Sequence, residues 1–299
     1  MTANFVTGSG LVNDWLAELR SGVPPVRFRL SSPFELLDVR PGRLLLLGGA
    51  PGTGKTAVLL QLGFDLLRMN SEARLLVANV EMSPEMLLER IIARLANIPI
   101  SALSERTLSP KQDECVTIAV NTFATIGERL AFLKPPFTLE AVAQSANEFK
   151  ANVLILDYIQ RFAYGKEAKD ARELMDGIVT LLRRFADSGA CVLCASAVAR
   201  QKGKGGSTYD GLNLASFRNS SELEFGCDSA YLLIPTADSR TVTLKCEKNR
   251  YGEVKNIPVM FDPSTMTFSP AVEQTPQDRF DQAKPAKPSK TSGTIGAIP

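Results

Sequence analysis

Gly49-Ala50-Pro51-Gly52-Thr53-Gly54-Lys55-Thr56 fits G-x-x-x-x-G-K-[ST], the spacing of a phosphate-binding loop. The chemistry asked of such a loop is anion binding by backbone. Gly49, Gly52 and Gly54 let N–H groups wrap phosphate oxygens without side-chain clashes. Pro51, Thr53 and Ala57 complete the cradle. Lys55 is placed to reach β- and γ-phosphates, and the Thr56 hydroxyl to sit on Mg²⁺. A second candidate is Asp157, which ends the apolar run Val153-Leu154-Ile155-Leu156. Alone this pattern is weak, because apolar strands often end in Asp; beside a phosphate loop it predicts a carboxylate holding Mg²⁺ through water next to Thr56. Hydrolysis also needs a group that orients the attacking water. Tyr158 follows Asp157, so no adjacent carboxylate serves, and Glu81 is the remaining candidate. Glu81 enters the crevice if the strand before it neighbours the phosphate-loop strand. Otherwise it is a carboxylate ahead of the helix start Ser83-Pro84.

These residues need a scaffold. Leu44-Leu45-Leu46-Leu47 is a continuous apolar run of the kind a buried parallel strand requires, and Ala57–Leu62 opens a helix. Strand, glycine-rich turn and helix is the setting the motif demands. From residue 43 onward the pattern alternates. Strands are predicted near 43–48, 74–79, 130–133, 152–157, 190–195, 229–234, 241–246 and 257–261. Helices are predicted near 55–69, 84–96, 110–127, 138–150 and 170–187. Alternation of this kind implies an α/β fold: a mostly parallel central sheet flanked by helices, with the last, closely spaced strands turning antiparallel. In such a sheet the strands' C-terminal ends face the ligand crevice, where Asp157 would sit behind the loop.

Ahead of that domain, Leu11, Val12, Trp15, Leu16 and Leu19 make one face of a short helix over 11–20, ended by Gly22 and separated from the body by Pro24-Pro25. Its stripe can pack on its own domain or on a neighbouring subunit. The chain therefore divides into an arm (1–25), a nucleotide-binding domain (26–270) and a Pro-, Lys- and Ser-rich tail (271–299) expected to be disordered. Lys284, Lys287 and Lys290 of the tail could touch nucleic acid, but a solvated tail is the favoured reading.

Composition sets bounds. The chain has 299 residues, 44% hydrophobic and 22% charged, enough for a sizeable core. A net charge of +2 confines any nucleic-acid site to a local patch. There is no histidine, which excludes histidine-based acid–base, triad and metal chemistry. Of five cysteines, Cys191 and Cys194 form a C-x-x-C, but inside a strand-like apolar run, so they read as small buried thiols. With no signal peptide and no long apolar run, a cytoplasmic setting without membrane contact is expected.

The segment Asn79-Val80-Glu81-Met82-Ser83-Pro84-Glu85-Met86-Leu87-Leu88-Glu89-Arg90 resembles the S-L-E-M-S…L…R block of replicative DnaB-type hexameric helicases, a RecA-like branch of P-loop ATPases. Asp157-Tyr158-Ile159-Gln160 resembles that family's D-Y-L-Q. Phe217-Arg218-Asn219-Ser220-Ser221-Glu222-Leu223-Glu224 through Asp228 is similar to its L-R-E-S-G-x-I-E-Q-D-A-D, and Lys248-Asn249-Arg250-Tyr251-Gly252 to its K-x-R-N-G. The resemblance spans about residues 22–270 in order.

It implies a RecA-like core, ATP with Mg²⁺, and a homo-oligomeric ring, six subunits being the expected number. It puts Glu81 on the catalytic glutamate. Arg250, with Lys248 beside it, falls on an arginine finger supplied across a subunit interface to the neighbour's γ-phosphate. The helix at 11–20 takes the place of the family's linker helix, which docks on the adjacent subunit. Two departures stand out. Only about 25 residues precede the ATPase domain, where the family carries a sizeable domain that recruits primase. Ser196-Ala197-Val198 replaces S-Q-L, whose glutamine senses the γ-phosphate and couples it to DNA-binding loops; Arg200 or Gln201 could substitute.

The segment Arg200-Gln201-Lys202-Gly203-Lys204-Gly205-Gly206-Ser207 is basic and glycine-rich, where RecA-like proteins place such loops. Arg200, Lys202 and Lys204 suit sequence-blind phosphate contacts on single-stranded DNA, and Tyr209 could stack on a base. An ordinary mobile surface loop remains the alternative. The leading expectation is a ring ATPase acting as a helicase or translocase on single-stranded DNA, with replication or recombination proteins as further partners. The rival is an ATP-dependent switch or loader that recruits partners on DNA without unwinding. A non-catalytic nucleotide scaffold is disfavoured by the intact Lys55, Thr56, Glu81 and Asp157.

Overall fold

The computed structural model describes residues 5–162, 171–199, 201–203, 206–208, 211–217, 221–236 and 240–271. In chain order these build α1 (Gly8–Ser21), β1 (Leu44–Gly49), α2 (Lys55–Met69), β2 (Leu75–Asn79), α3 (Pro84–Ala96), α4 (Ile100–Ser104), α5 (Pro110–Gly127), β3 (Leu130–Phe132), α6 (Leu139–Phe149) and β4 (Val153–Asp157). There follow α7 (Ala171–Asp187), β5 (Cys191–Ala195), β6 (Gln201–Gly203), β7 (Gly206–Thr208), α8 (Ser221–Gly226), β8 (Ser229–Pro235), β9 (Thr241–Asn249), β10 (Ile257–Asp262) and β11 (Thr267–Pro270).

Among the described residues one nine-stranded sheet runs β11-β10-β9-β8-β1-β5-β4-β2-β3. Strands β1, β2, β3, β4, β5 and β8 are parallel; β8 to β11 pair antiparallel, as the short connections predict. The continuous apolar runs follow from burial on both faces. Leu45 and Leu47 face one core with α2 and α3; Leu44 and Leu46 face the other with α6 and α7. In β9, by contrast, only Val242, Leu244 and Cys246 are buried, and the alternate residues look outward. Cys191 and Cys194 are buried on opposite faces of the sheet, so the C-x-x-C spacing brings no thiol pair together.

Helix boundaries have local causes. Ser83 caps α3 with Pro84 in its first turn, and Asn97 ends it in the left-handed conformation. Ser109 and Gln112 form a reciprocal capping box on α5. Thr7 caps α1, and Gly22, at φ 67°, closes it. Helix α1 buries none of its residues: Leu11, Val12, Trp15 and Leu19 are each more than half exposed. The reading in which this stripe packs on its own domain is therefore not realised among the described residues. Strand β11 and the β6–β7 hairpin were not expected from sequence.

The candidate nucleotide site

The parallel strands β1, β5, β4 and β2 all end at one edge of the sheet, and the functional candidates collect there. Gly54, at φ 90°, precedes α2 and offers no side-chain cap, so the first-turn N–H groups are open to an anion. The loop is shaped to need glycine. A Cβ on Gly54 would come within 2.8 Å of Phe268 and 3.0 Å of Phe261, and one on Gly49 within 2.8 Å of the Thr53 hydroxyl. Gly52, at φ 81°, faces open space. The β10–β11 hairpin fixes α2 from the side: Gln61 donates to the Phe268 carbonyl and accepts from its N–H, both at 2.9 Å.

Lys55 curls back over the loop, its Nζ donating to the carbonyls of Gly49 (2.9 Å) and Ala50 (3.0 Å). Burial pulls its pKa down, while the charges of Asp157 and Glu81 pull it up. The Thr56 hydroxyl donates to Asp157 Oδ2 at 2.5 Å. Asp157 is buried, which pushes its carboxyl above the ordinary value of 3.8 against the opposing Thr56 bond and Lys55 charge. A hydroxyl and a buried carboxylate in contact, beside an ammonium and bare helix N–H groups, form a donor set that fits a divalent cation bound with a phosphate chain.

The condition set for Glu81, that the strand before it neighbours the phosphate-loop strand, is not met. Strand β2 lies beyond β5 and β4. Glu81 nonetheless lines the same cavity of about 500 Å³ as Gly49, Lys55, Thr56 and Asp157, because parallel strands share one C-terminal edge. What places it is Asn79. Its Oδ1 accepts from the N–H groups of Glu81 (2.9 Å) and Met82 (2.8 Å), and its Nδ2 donates to Asp157 Oδ2 (2.9 Å).

Sequence reasoning assigned Asn79 no role, nor Arg90, which reaches the cavity from α3. Arg90 donates to Met266 Sδ at 3.0 Å; burial lowers its pKa and Asp157 raises it. Its signal was helical spacing: Arg90 follows inward Leu87 by three positions and precedes inward Ile91. Phe261, Pro263 and Met266 line the same cavity from the β10–β11 hairpin.

The family described as DnaB-like helicase C terminal domain matches residues 35–270. The chain belongs to this family. Curated relatives include a probable plasmid replicative DNA helicase of Chlamydia muridarum, 24% identical over 236 residues, 76% of this chain and 51% of the relative. A protein of the same name from Chlamydia trachomatis serovar L2 is 24% identical over 238 residues. The chain thus spans about half the length of the curated relatives it matches. Among solved structures, an ATPase domain superposes with a TM-score of 0.77 at 16% identity, over 90% of this chain and all of that one. A DnaB-like replicative helicase, determined with its interactions with primase, gives 0.75 at 15% identity, over 90% of this chain and 68% of that one. These likenesses show that the chain shares the α/β fold of DnaB-like ATPase domains. Membership in the DnaB-like family implies nucleotide binding.

Two departures from DnaB-type motifs have visible structural counterparts. Asn79 stands where S-L-E-M-S has serine, and supplies the amide described above. At Ala197, which replaces the glutamine of S-Q-L, an amide arrives from elsewhere: Gln160 Oε1 accepts from the Ala197 N–H at 3.1 Å, and its Nε2 donates to Ser196 Oγ at 2.7 Å.

Arg250 and Lys248 are not brought to this site. Asn249, one residue before Arg250, pairs with Ser229 of β8, and Ser229 pairs with Leu45 at the start of β1. Arg250 therefore sits at the sheet edge opposite the phosphate loop, about 17 Å away along β1. Arg200, Lys204 and Tyr209 lie outside the described residues, as do Arg218 and the tail from 272. Lys202 falls in β6, and its side chain is not among those described. Among the described residues no helix is long and apolar enough to cross a membrane.

Proposed function

We propose that this chain is an ATP-hydrolysing ring ATPase of the DnaB type that translocates on single-stranded DNA in the cytoplasm and separates strands as a helicase. The observation that carries this reading is the shared crevice of Lys55, Thr56, Glu81 and Asp157, with Arg250 at the opposite edge. Residues 26–270 form the ATPase domain, 1–25 an arm, and 271–299 a tail. Gly49, Pro51, Gly52, Thr53, Gly54 and Ala57 cradle the triphosphate of ATP. Lys55 exchanges its two carbonyl partners for β- and γ-phosphate oxygens. Thr56 and Asp157 hold Mg²⁺, which neutralises charge on the phosphates. Glu81 accepts a proton from the attacking water, and Asn79 fixes where Glu81 begins.

Because Arg250 cannot reach its own loop, it serves the neighbour's, with Lys248 steadying the strand that bears it. Each complete site then takes residues from two subunits, and a head-to-tail assembly is required, closing as a hexameric ring. The exposed stripe of α1 supports the same reading: an apolar face left bare in one chain suits docking on the next. Arg200, Lys202 and Lys204 contact DNA phosphates in the pore. Steady-state ATP turnover against protein concentration, with and without single-stranded DNA, tests this. Turnover per subunit should rise with concentration, rise again with DNA, and collapse in Arg250→Ala. Turnover independent of both concentration and Arg250 would sink the shared-site reading.

The Ala197 departure favours a second reading, an ATP-dependent switch or loader acting on DNA without unwinding, because no side-chain amide on that strand end faces the phosphates. A forked duplex separates the two. ATP-dependent strand displacement supports the helicase; DNA-stimulated turnover with no displacement supports the switch.

A further inference from the structure

The loop bearing Arg250 is fastened to its own chain through one buried carboxylate. Asp228, immediately before β8, has a side chain only 3% exposed. Its Oδ2 accepts from the Leu44 N–H at 2.9 Å and from Arg183 of α7 at 2.6 Å, and its Oδ1 accepts from Arg250 at 3.3 Å. Arg250 also donates to the Phe225 carbonyl at 3.0 Å, and its backbone N–H to the Asp228 carbonyl at 2.8 Å. From the other side, the Arg43 guanidinium lies over the Tyr251 ring, 3.3 Å from its centroid. Arg43 and Leu44 are the root of the phosphate-loop strand. Arg43 touches the loop that carries Arg250 directly, and Leu44 reaches Arg250 only through Asp228.

We infer that Asp228 is the positioning residue of Arg250, holding its guanidinium ready for the neighbouring subunit and tying its place to the root of β1. The inference rests on the reading of Arg250 as a finger acting in trans. Charge balance alone does not explain the contact. A buried carboxylate needs a counter-charge, and Arg183 with the Leu44 N–H already supplies one at short range. Arg250 is 44% exposed and binds at the longer distance, where an ion pair contributes little stability. What the contact supplies is order. An arginine already held in one rotamer surrenders less freedom when it meets a phosphate. A guanidinium also has more donors than these two bonds occupy, so the anchor can persist while the fork reaches across the interface.

The test mixes subunits before assembly and reads ATP turnover. Asp228→Asn alone should lower kcat about tenfold with KM nearly unchanged, the scale of an unrestrained arginine side chain. Mixed one to one with Glu81→Gln, whose own site is dead but whose finger is anchored, turnover should recover. With random neighbours roughly a quarter of the interfaces pair an intact site with an intact finger, giving about fivefold more than the mean of the two preparations. Arg250→Ala mixed with Glu81→Gln is the control for the finger itself. If that control recovers and the Asp228→Asn mixture does not, Asp228 serves its own subunit's fold and the inference falls while the finger reading stands. If neither recovers, the finger reading fails and takes the inference with it. Should Asp228→Asn not fold, Asp228→Glu keeps the buried charge; a loss of about threefold that mixing restores supports positioning, and a loss that mixing leaves untouched overturns it.

Discussion

Replacing Asn79 by Ala removes three hydrogen bonds at once, to the N–H groups of Glu81 and Met82 and to Asp157. The bond to the carboxylate contributes about 1.5–3 kcal/mol and each neutral bond about 1 kcal/mol. Glu81 is exposed and Met82 only half-buried, so water replaces part of what their N–H groups lose. The net cost is about 2 kcal/mol, a fall in Tm of roughly 4–8 °C for a domain of this size. The effect on turnover should be larger than stability implies. Without Asn79 the turn carrying Glu81 is no longer tethered to Asp157, and a displacement near 1 Å at a catalytic group costs up to about a hundredfold. The expected result is a kcat between about tenfold and a hundredfold lower, with binding of a fluorescent ATP analogue nearly unchanged. Asn79→Ser, which restores the family's residue, should recover part of the loss. A folded Asn79→Ala protein with kcat within about twofold of wild type would refute the argument that this amide places the catalytic glutamate.

Four further outcomes can be checked. The raised pKa of Asp157 means that the free protein loses stability as pH climbs from the ordinary value of 3.8 through the higher folded value, because the native state holds its proton longer than the unfolded one. Asp157→Asn should therefore raise the Tm of the nucleotide-free protein at pH 7 while abolishing Mg²⁺-dependent turnover; an unchanged or lower Tm would contradict the burial argument. Gly54→Ala forces a Cβ against Phe268 and Phe261 at φ 90° and should weaken nucleotide binding by more than about tenfold in a fluorescence titration. Trp15 is the single tryptophan and is 59% exposed, so its emission should shift to the blue as the protein assembles, and Trp15→Ala should raise the assembly Kd by about 30-fold. Burial pushes the Cys191 thiol to about 12 and the Cys227 thiol to about 11, so a thiol reagent at pH 8 should label the half-buried Cys115 far faster than either.

What the sequence made legible was chemistry confined to short spans. The phosphate loop needs its glycines at fixed offsets, and strands buried on both faces need unbroken apolar runs, so β1, β2, β4 and β5 declare themselves. Ser83, ahead of Pro84, marked a helix start for the same local reason. Strand order is not local, and there reasoning from Glu81 rested on a neighbour relation that β5 and β4 interrupt. It reached the right crevice because every parallel strand opens onto the same edge. Asn79 and Arg90 escaped notice because their meaning lies in partners 78 and 176 positions away. Gln160 was read as part of a motif, yet what matters is that its amide meets the backbone of Ala197. Strand β11 is too short and too polar to stand out, although its Phe268 clamps the phosphate-loop helix. The stripe of α1 was visible at once, but nothing in an amphipathic pattern states which surface will cover it.

On the proposed shared site, with the phosphate loop and Arg250 at opposite ends of β1, each subunit has two unlike poles, and joining subunits is a matter of matching one pole to the other. A row of them always finishes with one loop lacking an arginine and one arginine lacking a loop. Only closure into a circle leaves no pole unspent. Turnover per subunit thus takes a census of loose ends: a pair completes one site of its two, longer rows waste proportionally less, and a circle wastes none. The specific rate reports topology as well as chemistry, and a rise that stops at a plateau marks the point at which the row has found its own tail.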